Sequence, residues 1–169
     1  MKRFRFRSGP LDTIDAALVR ALARDARATM ADLARAVGLS PPSVTERVRR
    51  LEEAGVIRGY SAVVDPAALG LSLAAYIRIR PIPGQLNKVT EVLHELEAVV
   101  ECDRVTGEDC FVAKAYVRSV AELEALVDRI IPYAMTNTAI IQSSPVKRRL
   151  PPVTVPARGE SNERFVDER

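Results

Sequence analysis

The sequence predicts an α+β protein in two parts: an N-terminal winged helix-turn-helix, then a βαββαβ, ferredoxin-like domain. Three observations carry this. Residues 29–55 read as two short capped helices joined by a tight turn. From Leu73 onward the hydrophobic period runs strand, helix, strand, strand, helix, strand. The positive charge is concentrated early: residues 1–60 hold 12 Lys/Arg against 7 Asp/Glu, and residues 61–169 hold 13 against 15. A chain of 169 residues has room for two small domains.

The first ten residues form a basic arm, alternating Lys2, Arg3, Phe4, Arg5, Phe6 and Arg7 before Ser8-Gly9-Pro10. It reads either as a segment for a DNA backbone or partner subunit, or as a frayed extension. Residues 11–64 make the winged helix-turn-helix. Asp12 caps a helix whose apolar side is Ile14, Leu18 and Leu22. Thr29 caps the next, with Asp32 completing a capping box, and Met30, Leu33, Ala34 and Val37 recur at helical spacing. Gly38 supplies a left-handed stop and Leu39 anchors the turn. Ser40 caps the third helix, and Pro41 takes its first position, where a missing N–H costs nothing. Val44, Val48 and Leu51 face inward. Ser43, Glu46, Arg47 and Arg50 are expected on the outer face, with Arg49 at its edge. Gly55 closes the helix. Val56 and Ile57 then start a short extended segment, the usual source of a wing. Residues 65–72 are a linker.

Residues 73–149 form the second domain. Leu73, Ala75, Ile77 and Ile79 alternate with Ala74, Tyr76, Arg78 and Arg80 until Pro81 stops the strand. Leu86, Val89, Leu93 and Leu96 mark a helix. Val99–Thr106 and Phe111–Val117 pair across a turn at Gly107-Glu108. Leu123, Leu126, Val127 and Ile130 mark a second helix ended by Pro132, and Asn137–Ser143 is the last strand, centred on Ile140 and Ile141. Two helices then cover one sheet face, and the apolar residues of the other need a partner. Residues 150–169, rich in proline and then in alternating charge, read as a disordered tail.

A helix braced by a preceding helix, with hydroxyls near its start and guanidiniums further along, suits the DNA major groove. Ser43, Thr45 and Glu46 are expected at base edges, with Ser40 at the cap, and Arg47, Arg49 and Arg50 on phosphates. An αα-hairpin with a solvated charged face is the plainer alternative. No metal site is expected: Cys102, Cys110 and His94 do not cluster, and the hairpin register sets Val105, not Cys102, opposite Cys110, which argues against a disulfide. His94 sits among Glu91, Glu95 and Glu97 and reads as solvated. No phosphate-cradling glycine loop and no nucleophile or metalloprotease motif occurs, so catalysis and a cofactor are not expected. There is no apolar run long enough for a membrane span and no secretory signal, so the expected location is cytoplasmic.

The motifs LDTIDAALVRALARDAR, LARAVGLSPPSVTERVRRLEEAGVIRGYSAVVDPAALG, VTGEDCFVAKAYV and TNTAIIQSSPVK, in that order from Leu11 to Lys147, resemble those of the Lrp/AsnC, or feast/famine, transcriptional regulators. The resemblance implies a sequence-specific regulator that binds double-stranded DNA and assembles as homodimers, up to octamers. It also implies a response to a small effector, commonly an amino acid, held near the Gly107 turn. The site it points to is Thr106, Gly107, Glu108, Asp109 and Cys110, with Thr136 and Thr138 from the last strand. Many members carry G-D-Y-D at this turn, and the aromatic is absent here. An architectural DNA-binding protein, or an amino-acid-sensing adaptor without DNA, are the alternatives left open.

Overall fold

The computed structural model describes residues 11–155, which divide into two compact units: 11–62 with 148–155, and 63–147. The basic arm at 1–10 and most of the expected tail, 156–169, lie outside the described residues.

The first unit is built on α1 (Thr13–Arg24), α2 (Met30–Val37) and α3 (Pro41–Glu53). Each start is capped as the sequence predicts. Asp12 accepts from the Asp15 amide at 2.7 Å, Thr29 from the Asp32 amide at 3.1 Å, and Ser40 from the Ser43 amide. Gly38, at φ 69°, ends α2 in the left-handed region, and the Leu39 amide donates back to the Ala34 carbonyl. Leu18, Leu22, Leu33, Val44, Val48 and Leu51 close into one core, each contributing roughly 1.5–3 kcal/mol by burial.

Two expectations for this unit change. No strand forms over 56–64: the amides of Val56 and Ile57 both donate to the Leu51 carbonyl, so these residues cap the end of α3 and pack on its core. The residues that follow run without a ladder partner, and Val63 is fully exposed. At the other end of the chain, residues 150–155 do not behave as a free tail, because Arg20 on α1 donates to the Val153 carbonyl at 2.8 Å.

The second unit carries β1 (Leu73–Pro81), α4 (Leu86–Glu95), β2 (Val99–Arg104), β3 (Phe111–Val117), α5 (Val120–Asp128) and β4 (Ala134–Ile140). A short 3₁₀ turn, Pro66–Leu69, capped by Asp65, precedes them. The sheet order is β2-β3-β1-β4, antiparallel throughout, as a split βαβ arrangement requires. Ile77, Ile79, Phe111 and Val117 lie in one buried cluster with Val89, Leu93, Leu123 and Ile130 of the helical segments. On the opposite face Lys114 sits between Tyr76 and Tyr116, 5.8 and 5.2 Å from the ring centres, so that face mixes charge with aromatic surface.

The last strand starts three residues earlier than predicted. Its register against β1 begins at Pro81 and Ala134, which leaves Ile140 at the strand end and half exposed. The hairpin register is as expected: Arg104 faces Phe111, the Val105 amide donates to the Cys110 carbonyl at 2.9 Å, and Cys102 faces Ala113. Both cysteines are free thiols.

Candidate nucleic-acid interface and effector cleft

On α3 the side chains expected to meet DNA divide into those bound within the unit and those left outward. Ser40 and Ser43 share a hydroxyl contact of 2.8 Å at the helix start, and Thr45 donates its hydroxyl to the Pro41 carbonyl at 3.0 Å. All three remain exposed. Glu46 accepts from Arg49 at 2.6 Å, and Arg49 also pairs with Glu53, a surface ladder that raises the Arg49 pKa through its bond to Glu46 and holds the Glu46 carboxyl low. Arg50 is exposed and makes no ion pair among the described residues.

Arg47 is not on the outer face, which corrects the expectation that it holds a phosphate. It lies three residues after Val44 and one before Val48, on the inward edge of the helix. From there its guanidinium reaches α1 and bonds Asp12 at 2.7 Å and Asp15 at 2.6 Å. The hydrogen bonds to Asp12 and Asp15 raise the Arg47 pKa. Burial works against the Asp12 charge, but the Asp15 amide and Arg47 outweigh it and hold that carboxyl below its ordinary range. Arg47 therefore braces α3 against the start of α1.

In the second unit the turn after β2 opens onto the sheet face that the helices leave uncovered. A cleft of about 540 Å³ is lined there by Thr106, Gly107, Glu108 and Asp109 of the turn, with Arg78, Arg80 and Asn137 from the sheet. Arg78 Nε lies 3.2 Å from Asp109, Arg80 pairs with Glu108, and Arg80 Nε lies 3.8 Å from Asp109. Gly107 has φ 112°, a backbone region that L side chains rarely adopt, although a Cβ there would meet no atom within 4 Å. The glycine is demanded by conformation and not by space.

Three expected members of this site lie elsewhere. Cys110 packs partly against the helix-covered core and donates its amide to the Ile79 carbonyl at 3.0 Å. Thr136 and Thr138 pair with Ile79 and Ile77, whose side chains are buried under the helices, so both threonines share that face and not the cleft. Asn137, between them, is the β4 residue that reaches the cleft. Arg78 and Arg80 were also missed as members. Strand alternation already set them opposite Ile77 and Ile79, and the pairing of Ile79 with Phe111 brings them beside the turn.

Among the described residues no group of three or more His, Cys, Asp or Glu is placed to hold a metal ion, and no helix is long and apolar enough to cross a membrane.

Residues 11–58 match the winged helix-turn-helix DNA-binding family, and residues 74–151 match the Lrp/AsnC ligand binding domain. The HTH-type transcriptional regulator LrpA of Mycobacterium tuberculosis is 44% identical over 129 residues, covering 76% of this chain and 86% of that protein. LrpC of Bacillus subtilis is 35% identical over 133 residues, covering 79% and 92%. The solved feast or famine regulatory protein of M. tuberculosis complexed with L-methionine has a TM-score of 0.77 at 41% identity, covering 83% of this chain and 97% of that one.

Proposed function

The chain belongs to the Lrp/AsnC family of transcriptional regulators, and from that premise we propose that it is a cytoplasmic, sequence-specific regulator whose DNA binding responds to a small zwitterion, an amino acid. The observation that carries the effector reading is the charge arrangement of the cleft. Two guanidiniums and two carboxylates line one open site and neutralise each other across its mouth. An amino acid brings one charge of each sign, so it can exchange with these pairs without leaving any of them unpaired. Its carboxylate takes Arg78 or Arg80, its ammonium takes Asp109 or Glu108, and Asn137 and Thr106 supply neutral hydrogen bonds. The M. tuberculosis relative holds L-methionine, which makes that amino acid the first to test.

DNA is read by the outward face of α3. Ser43, Thr45 and Glu46 meet base edges near the helix start, and Arg50, with Arg49 when released from its glutamates, meets phosphates. Assembly is as homodimers or higher forms, up to octamers, through the uncovered sheet face, so that two recognition helices reach successive major grooves.

A thermal-shift screen against the twenty amino acids, followed by DNA binding with and without each hit, tests the effector reading. A ligand of the folded state raises the melting temperature by mass action. The expected result is a shift with one amino acid class that changes DNA affinity in the intact protein and is absent in Gly107→Val. The reading fails if no amino acid shifts the melting temperature at millimolar concentration, or if a hit binds Gly107→Val equally well.

A further inference from the structure

A second feature of the first unit lies away from α3. Arg20 and Arg24 stand one turn apart on the exposed face of α1, and residues 148–153 run alongside them, tied down by the Arg20 bond to the Val153 carbonyl. Between helix and strap is an open cleft of about 440 Å³ whose charged lining residues are Arg20, Arg24, Arg148 and Arg149. No carboxylate lines it, and none of the four arginines makes an ion pair among the described residues. Several other exposed arginines are paired, Arg35 with Asp32, Arg49 with Glu46, Arg118 with Glu122 and Arg129 with Glu95, while Arg27, Arg50, Arg58 and Arg104 stand without an ion pair among the described residues. What distinguishes Arg20, Arg24, Arg148 and Arg149 is that four such guanidiniums line one cleft together.

We propose that this arginine-lined cleft is a second phosphate-binding surface, which holds a stretch of DNA backbone separate from the one met by α3. Guanidinium presents paired N–H donors that match two phosphate oxygens, and it cannot lose its charge. The Pro151-Pro152 pair fixes backbone φ near −65° at two successive residues and restricts Leu150 before them, so this part of the strap has little backbone freedom to lose on binding. The lining, apart from the guanidiniums, is apolar or proline, among it Ala23, Leu150 and Pro151. It offers no side-chain acceptor to read a base or a ribose, which favours a continuous phosphodiester over a free nucleotide. Position along α1 separates the two surfaces. Arg47 ties α3 to Asp12 and Asp15 at the start of α1, whereas Arg24 is its last residue, about 14 Å beyond Asp15 and about 18 Å beyond Asp12 at 1.5 Å per residue.

The test compares the whole protein with its Arg148→Ala/Arg149→Ala variant, titrating a random-sequence duplex of about 40 base pairs across a salt series. Each phosphate contact contributes roughly 0.9 to the slope of log affinity against log salt, so the variant's slope falls by about two and its affinity drops roughly 30-fold near 0.15 M salt. Arg148→Lys/Arg149→Lys, which keeps the charge, retains most of the slope, whereas a purely structural role for the strap would not be rescued. Circular dichroism melting of the variants stays at the unaltered value, because all four side chains are exposed. An unchanged slope overturns the proposal. So does protection of the same arginines from modification by tripolyphosphate but not by duplex, which would assign the cleft to a small polyphosphate. A chain that binds no duplex at all, before any substitution, would instead sink the regulator reading itself.

Discussion

Arg47 on α3 and Arg78 and Arg80 on β1 are all paired with carboxylates, and their surroundings make these pairs different devices. Arg47 is a quarter exposed and its partner Asp15 only 13%, so the pair is shielded from water and held by two short hydrogen bonds. Arg78 and its partner Asp109 are 63% and 28% exposed, and Arg80 and its partner Glu108 are 44% and 83% exposed, so the pairs at the turn are more open to solvent than Arg47–Asp15. A shielded pair fixes geometry, and breaking it strands a charge. A solvated pair contributes little to stability and exchanges readily for another ion. The same residue types thus brace one unit and leave a site receptive in the other.

The widest separation is expected in ligand affinity. Arg78→Ala/Arg80→Ala removes both carboxylate partners at the cleft, and two charge-assisted hydrogen bonds are worth roughly 1.5–3 kcal/mol each. Effector binding measured by calorimetry should fall about a hundredfold or more, while the urea midpoint moves by less than about 1 kcal/mol equivalent. A large loss of stability here would make these pairs braces as well.

Next in size is Arg47→Ala, which leaves Asp12 and Asp15 without their cation. It should destabilise the helical unit by about 1.5–3 kcal/mol in equilibrium unfolding. Equal stability in the variant would show that α3 is held by its apolar core alone.

Arg50→Ala serves as the contrast on the same helix. It should leave stability within about 0.5 kcal/mol and lower the salt slope of DNA binding by about one. If Arg50→Ala left the slope unchanged, the outward face of α3 would not be the one facing phosphate.

The smallest effect concerns acid. The folded-state pKa of Asp12 is depressed below its ordinary 3.8, so its contribution is complete above that value and is lost as pH falls through the lower folded one. The melting temperature should therefore fall below about pH 4 by more in the unaltered protein than in Arg47→Ala. Parallel curves would remove Asp12 from the account.

The five α-helices, the caps of the first three and the four strands of the sheet were legible in the sequence, because caps and periodicity are set by neighbours within a turn or a pleat, whereas the Ser119 cap of α5 was not read. Asp12, Thr29, Ser40 and Gly38 act where they were read. Even the position of Arg47 was available: three residues after Val44 is the inner edge of a helix. The acids that receive it were not, since Asp12 and Asp15 lie more than thirty residues away and only the crossing of α1 and α3 brings them near.

The order of elements, the fold class and the place of the turn followed from the sequence alone, since each rests on local backbone preference and on a hydrophobic period of 3.6 or 2. Tertiary structure decided which face each residue serves. Pairing of Ile79 with Thr136 and of Arg78 with Asn137 sent the threonines under the helices and the asparagine into the cleft, and a shift of one residue would have reversed them. The same holds for the strap, whose Val153 meets Arg20 across 133 residues of chain. No local rule spans such a distance, because cap and period preferences act only between residues a few positions apart.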